Sequence, residues 1–266
     1  MTVLAGIGRC WHAEWTKLRT LPSTGWLLLL TAGSMILMSL AITGTLRLDG
    51  CEAPCFADTA KLSLSGVRLG QVGVVILAVL AVTTEYGNRT IMPTLAAVPR
   101  RWVVLASKLG VVTVLALAAG VLGVTGSVMI AHAVLPGRGF TVANGYPAIS
   151  LLDDLTRRAA VGTVIYLGLI ALLSAGIGLL LRDTGGAVTV ILALLFAAPL
   201  IAMFVSDPRW QHRIHRFAPM DAGLAIQATR GFATVHIGPW AGVGLLGAYA
   251  AAVVLAGGIL FRLRDA

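Results

Sequence analysis

The sequence predicts an all-α integral membrane protein with six transmembrane helices in a single domain spanning residues 1–266. Three observations lead there. Of the 266 residues, 58% are hydrophobic and 12% are charged, with a mean hydropathy of +0.90, whereas a soluble domain carries roughly 25% charged residues. Six stretches approach or exceed the length of about 20 apolar residues that a bilayer core requires. No Asp, Glu, Lys or Arg falls deep inside any of these spans. This composition excludes disordered, collagenous, coiled-coil and disulfide-rich secreted scaffolds. The net charge of +9 does not point to nucleic acid, because the basic residues are scattered between lipid-length spans.

The first element is an N-terminal amphipathic helix over about residues 10–21. Trp11, Trp15 and Leu18 recur at i, i+4 and i+7 and share one face. Glu14 and Lys17 are assigned to the opposite side, and Arg19 comes next in the chain. Tryptophan on one face and charge on the other suit a helix lying in the membrane interface, and Pro22 separates it from the first span.

The spans come next, at about 26–46, 69–84, 103–135, 161–181, 186–205 and 240–261. The first is too long for the apolar core of a signal peptide, which runs to about 7–15 residues. The third exceeds what a bilayer needs, so its first turns, through Lys108, are expected at the interface. Pro199 lies near the far end of the fifth. An even number of spans puts both termini on one side, but the basic residues divide ten against ten between the two sides and do not orient the chain.

Three connections carry information. Cys51 and Cys55 flank a Pro-containing turn and could form a disulfide or remain two small unpaired residues. After the second span, a charged stretch beginning at Glu85 leads into a short helix bounded by Pro93 and Pro99. From the residues alone this helix is either a docking knob or a polar connector. The outer loop 206–239 is long for a structureless connection. In it Trp210, Ile214 and Phe217 form another i, i+4, i+7 stripe among Arg and His.

Catalytic machinery is absent from the pattern. The chain has three lysines, each followed by Leu, so it contains no P-loop and is not expected to be an enzyme. No catalytic or metal-binding set is predicted. His212 and His215, interleaved with Arg213 and Arg216, read as an interfacial face rather than a metal site. Ion-coupled carriers usually place ionisable groups within the membrane, and none is expected here at mid-depth. Glycine recurs at 120, 123 and 126 in the third span and at 238 and 242 at the start of the sixth, where small residues let backbones approach closely.

Several motifs together resemble a known family. Glu-Trp-Thr-Lys-Leu-Arg-Thr at 14–20 is similar to the entry segment of permease subunits of type-2 ATP-binding-cassette transporters, especially those of high-GC Gram-positive bacteria. Leu-Ser-Leu-Ser-Gly-Val-Arg-Leu-Gly-Gln at 62–71 is similar to the approach to that family's second span. Glu85-Tyr86 with Thr90-Ile91, then Thr-Leu-Ala-Ala-Val-Pro-Arg-Arg at 94–101, then Ala-Ser-Lys-Leu at 106–109, resembles its loop between the second and third spans. Many relatives have Gly where this chain has Arg89.

The resemblance implies a permease in the bacterial plasma (inner) membrane, with both termini in the cytoplasm. Such a subunit pairs with a second permease subunit, as a homodimer or heterodimer, and sits among membrane lipid. It docks on a separate ABC ATPase, two copies being expected, through a short cytoplasmic coupling helix. No cofactor would be bound by this chain; ATP and Mg would be held by the partner. Glu85, Tyr86, Arg89, Thr90, Pro99, Arg100 and Arg101 would face or shape the ATPase contact, and Trp11, Glu14, Trp15, Lys17 and Arg19 would belong to the interfacial helix. The expected function is export of a hydrophobic or amphipathic drug, lipid or secondary metabolite. The alternative is a membrane anchor or immunity-type interaction protein without transport activity.

Overall fold

The computed structural model describes residues 3–46, 58–87, 101–146, 149–230 and 236–263. All regular structure among these is helical. Six helices are long and apolar enough to cross a membrane.

Leu21 breaks the chain between the first two helices. Helix α1 runs Val3–Thr20, and α2 runs Pro22–Thr45 with its proline in the first turn, where the missing N–H costs nothing. A short α3, Thr59–Ser63, precedes α4, Val67–Gly87. Helix α5 spans Arg101–Val134. At 1.5 Å per residue its 34 residues extend about 51 Å, well beyond a hydrocarbon core of about 30 Å. Helix α6, Asp154–Leu181, is capped by Asp153, and α7, Thr184–Phe204, by Asp183. The amphipathic α8, Pro208–Phe217, and the short α9, Pro219–Leu224, lead to the last span α10, Pro239–Leu263. Each span lies where the sequence places it and begins somewhat earlier, most of all the fourth, at Asp154, and the first, at Pro22.

The six long helices alternate in direction, so the bundle has a proximal end, which carries α1 and the end of α10, and a distal end. Helix α6 is the hub, packing against α4, α5, α7 and α10. Tyr166, Leu167, Ile170 and Leu173 on it are fully buried. Helices α2, α7 and α10 expose large apolar side chains such as Leu29, Met203 and Leu255, as lipid-facing surfaces do.

Small residues set the spacing. A Cβ on Gly123 or Gly126 of α5 would meet Met35, Ala32 or Ile36 of α2, and one on Gly120 would meet Leu167 and Val164 of α6. The glycine series therefore serves contacts inside this chain. Among the described residues Gly238 borders only Ala241, while Gly242 leaves room for the Ala222 carbonyl.

The stretch 218–228 folds back into the distal end and is buried throughout apart from Asp221. Gln71 Nε2 donates to Met220 Sδ at 3.2 Å, and the Tyr166 hydroxyl donates to Gln71 Oε1. Gln227 Nε2 donates to Thr163 Oγ1 at 3.0 Å. Asp58 then fastens the return, accepting from the Thr229 and Arg230 amides and from Thr229 Oγ1. On the stretch itself the Ala222 amide donates to the Ala218 carbonyl and the Ala228 amide to the Ala225 carbonyl, as burial requires.

Candidate functional site

The proximal end gathers the chain's scarcest charges. The sequence contains only three Glu and three Lys. Two of each, Glu14, Lys17, Glu85 and Lys108, meet in one cluster. Lys108 Nζ donates to Glu85 Oε1 at 2.8 Å, to both Glu14 carboxylate oxygens at 3.2 and 3.3 Å, and to the Ala81 carbonyl at 3.2 Å. Lys17 Nζ donates to the same Glu85 Oε1. Lys108, Glu85 and Glu14 are only 4%, 3% and 8% exposed.

This corrects two expectations. Lys108 lies seven residues inside α5, about 10 Å along the axis, and is buried within the protein. Glu85 does not open a loop, because α4 continues through Gly87 and turns the carboxylate inward. Glu14 is not on the face opposite the tryptophans. It sits at i+3 from Trp11, between Trp11 and Leu18, and is buried with them against α5. Ionisable groups are therefore buried between helices at the proximal end of the bundle.

The reason lies in α1. Sequence spacing places its apolar stripe on lipid, whereas the structure lays that stripe on α5. A Cβ on Gly110 would strike the Trp11 ring, so the missing side chain two residues beyond Lys108 is what admits the indole. Trp15 is half-buried against the same core, Leu18 is buried, and Arg19 is exposed. Cys10, on the flank of this contact, has its thiol pushed up from the ordinary range by burial and then by the Glu14 carboxylate.

Two negative and two positive charges balance within the cluster. A buried ion pair is a poor source of net stability, because desolvation opposes the attraction, but removing one partner strands a charge at a cost of about 3–5 kcal/mol. The cluster therefore acts as a latch: it holds α1, α4 and α5 in one register and penalises any other.

Around the latch, the flanks of the segment 88–100 are fixed separately. Arg182 lies over the Tyr86 ring at 4.9 Å. Arg182 is also the only non-glycine with positive φ (56°) among the described residues, at the turn joining α6 to α7. Thr83 and Thr184 share a hydroxyl hydrogen bond at 2.7 Å. Arg101 Nη1 donates to the Phe261 carbonyl at 3.1 Å, tying the start of α5 to the end of α10. Glu85 Oε2 and the Tyr86 hydroxyl have no hydrogen-bond partner among the described residues, and both residues line a cavity of about 10 Å³ with Lys108 and Phe261.

Of the residues singled out from sequence, Glu14, Lys17, Glu85, Tyr86 and Arg101 are brought to this end, with Trp11 and Trp15 packed beneath. Arg89, Thr90, Pro99, Arg100, the expected coupling helix, Cys51 and Cys55 lie outside the described residues. Sequence reasoning misses Lys108 and Arg182 as site residues. The signal for Lys108 is present: a lone lysine two turns inside an apolar helix needs a carboxylate, and the chain has few to offer. Among the described residues no group of His, Cys, Asp and Glu is arranged to hold a metal ion. Comparison of the chain with models of protein families gives no match, and comparison with curated proteins gives none.

Proposed function

We propose that the chain is the membrane-spanning permease subunit of an ATP-binding-cassette exporter. It would form, with a second permease copy, a path for a hydrophobic or amphipathic substrate. The reading places the chain in the bacterial inner membrane with its proximal end in the cytoplasm, and draws its energy from a separate ATPase. The observation that carries it is the charge-balanced latch, which joins the N-terminal helix to the two helices flanking the segment 88–100. A partner that pushes on that segment would act on α4 and α5 together, and the latch would pass the displacement to α1. The motifs at 14–20, 85–91, 94–101 and 106–109 support the same reading. The cluster is neutral as a set and sits at one end of the bundle, which suits a mechanical element better than a proton carrier.

The test is co-purification. The tagged chain, extracted from native membranes in mild detergent, should bring down a P-loop ATPase. A variant with Glu85→Ala, Arg100→Ala and Arg101→Ala should lose it while still extracting as a folded chain. Retention of an oligomeric chain with no ATPase would put the second reading, a membrane anchor or immunity-type interaction protein, in its place.

A further inference from the structure

We infer that a basic recess at the distal end is a binding site for a phosphate group, carried either by a free anion or by a lipid headgroup. The recess has a volume of about 210 Å³ and is walled by Lys61 of α3, Arg68 of the first turn of α4, His215 of α8, Asp221 of α9, and His236 just before α10. Three helices and a connecting segment thus bring cationic or imidazole side chains to one hollow, and α9 adds one carboxylate. The imidazoles are stacked: the His236 ring lies 4.8 Å from that of His212 and 5.0 Å from that of His215.

Nothing among the described residues neutralises the two fixed cations. Neither Lys61 nor Arg68 makes a side-chain hydrogen bond or ion pair there. The one carboxylate in the wall, Asp221, is already engaged by His215, its Oδ2 lying 2.7 Å from Nδ1. Two fixed cations and the imidazoles therefore face a single carboxylate, which His215 also engages. The consequence is visible at His236, whose imidazole is held below the ordinary histidine range by burial, then by His215 and His212, and also by Lys61, with Asp221 opposing.

The donor set fits a tetrahedral oxyanion. A guanidinium fork, a compact ammonium and an imidazole N–H approach from different elements, and such a group offers acceptors in several directions at once. Its place in the bundle supplies the ligand. Helix α8 beside it exposes Trp210 and Phe217 at 56% each, with Arg213 over the Trp210 ring at 5.4 Å. Aromatic side chains with arginine between them suit the membrane–water boundary, where lipid phosphates lie and soluble phosphates have access.

The bound anion and His236 are thermodynamically linked. An anion beside the ring favours its protonated form, so binding raises the His236 pKa, and acidification tightens binding by the same factor. The experiment is a pH titration of the His Cε1–Hε1 signals of the full chain in maltoside micelles, which contain no phosphate. The sequence has only five histidines, and His236→Gln assigns the signal. One arm adds inorganic phosphate, a second adds phosphatidylglycerol to the micelles, and chloride at matched ionic strength is the control. An upward shift of about one pH unit beyond chloride, in either arm, is expected. A response to inorganic phosphate identifies a free anion, and a response to phosphatidylglycerol alone identifies a headgroup. The shift should vanish in Lys61→Ala with Arg68→Ala and persist in Lys61→Arg. No shift beyond chloride in either arm, or an equal shift in the double alanine variant, overturns the site. Both replaced side chains are exposed, and an unchanged thermal midpoint verifies the fold.

Discussion

Lys108 and Glu85 stand on opposite sides of the segment 88–100, and their charged atoms meet at 2.8 Å in the interior of the bundle. The two helices that flank the segment the sequence marks as most informative are thus joined by one ion pair, to which α1 adds Glu14 and Lys17. The relationship makes the proximal end a single mechanical unit.

Its energetics can be measured by neutralisation. Lys108→Met leaves the buried Glu14 carboxylate without its cation and Glu85 with Lys17 alone, and should lower stability by about 3–5 kcal/mol in detergent unfolding. Adding Glu14→Gln and Glu85→Gln should recover most of that loss, since the isosteric amides carry no stranded charge. Additive losses across the three changes would show that the charges do not interact.

The docking of α1 has its own probe in Cys10. Its thiol is raised by burial and by Glu14, and only the thiolate reacts. Maleimide labelling of Cys10, in a Cys51→Ser, Cys55→Ser background, should therefore be slow at neutral pH and accelerate steadily toward alkaline pH. Gly110→Leu, which displaces the Trp11 ring, should speed labelling several-fold at every pH. An unchanged rate would mean that α1 does not rest on Gly110.

How far the sequence is legible depends on which contacts are local. All six spans, the break before the first of them and the amphipathic α8 can be read from composition and periodicity. The partner of each face cannot. The Trp11–Trp15–Leu18 stripe is the same whether it meets lipid or protein, and it reads as interfacial until Gly110 and Lys108 are seen across from it. Glu14 is misplaced when a residue at i+3 is assigned to the far side of the helix. Gln71 stands out as a polar residue in a span, but its link to Met220 bridges 149 positions and no local pattern contains it. The inward fold of 218–228 is hidden for the same reason, since it depends on Asp58, Thr163 and Gly242.

That inward fold should be sensitive at one atom. A methyl group on Gly242 would collide with the Ala222 carbonyl, a backbone atom that cannot yield. Gly242→Ala should cost about 1–3 kcal/mol by overpacking, whereas Gly244→Ala on the open face of the same helix should cost little. Equal effects in thermal unfolding would place the inserted stretch elsewhere.

His236 sets a pH dependence of definite sign. The unfolded chain titrates His near the ordinary value of about 6.5, while His236 in the fold titrates lower. Between the two values the unfolded state binds more protons. Stability should therefore fall as pH drops through about 6.5 and level off below the folded value. Compared with wild type, His236→Gln should show a shallower fall in thermal midpoint over this window. An identical fall in both proteins would assign the dependence to other groups.

The central claim is that force from an ATPase reaches α1 through the latch, and Cys10 reports it most directly. The measurement is the rate of Cys10 labelling in the purified complex with its co-purifying ATPase, without nucleotide and with Mg-ATP and vanadate. The account expects a several-fold change on nucleotide addition in the wild-type latch, reduced or lost in Glu85→Gln. Equal rates with and without nucleotide, in a complex that hydrolyses ATP, would contradict it.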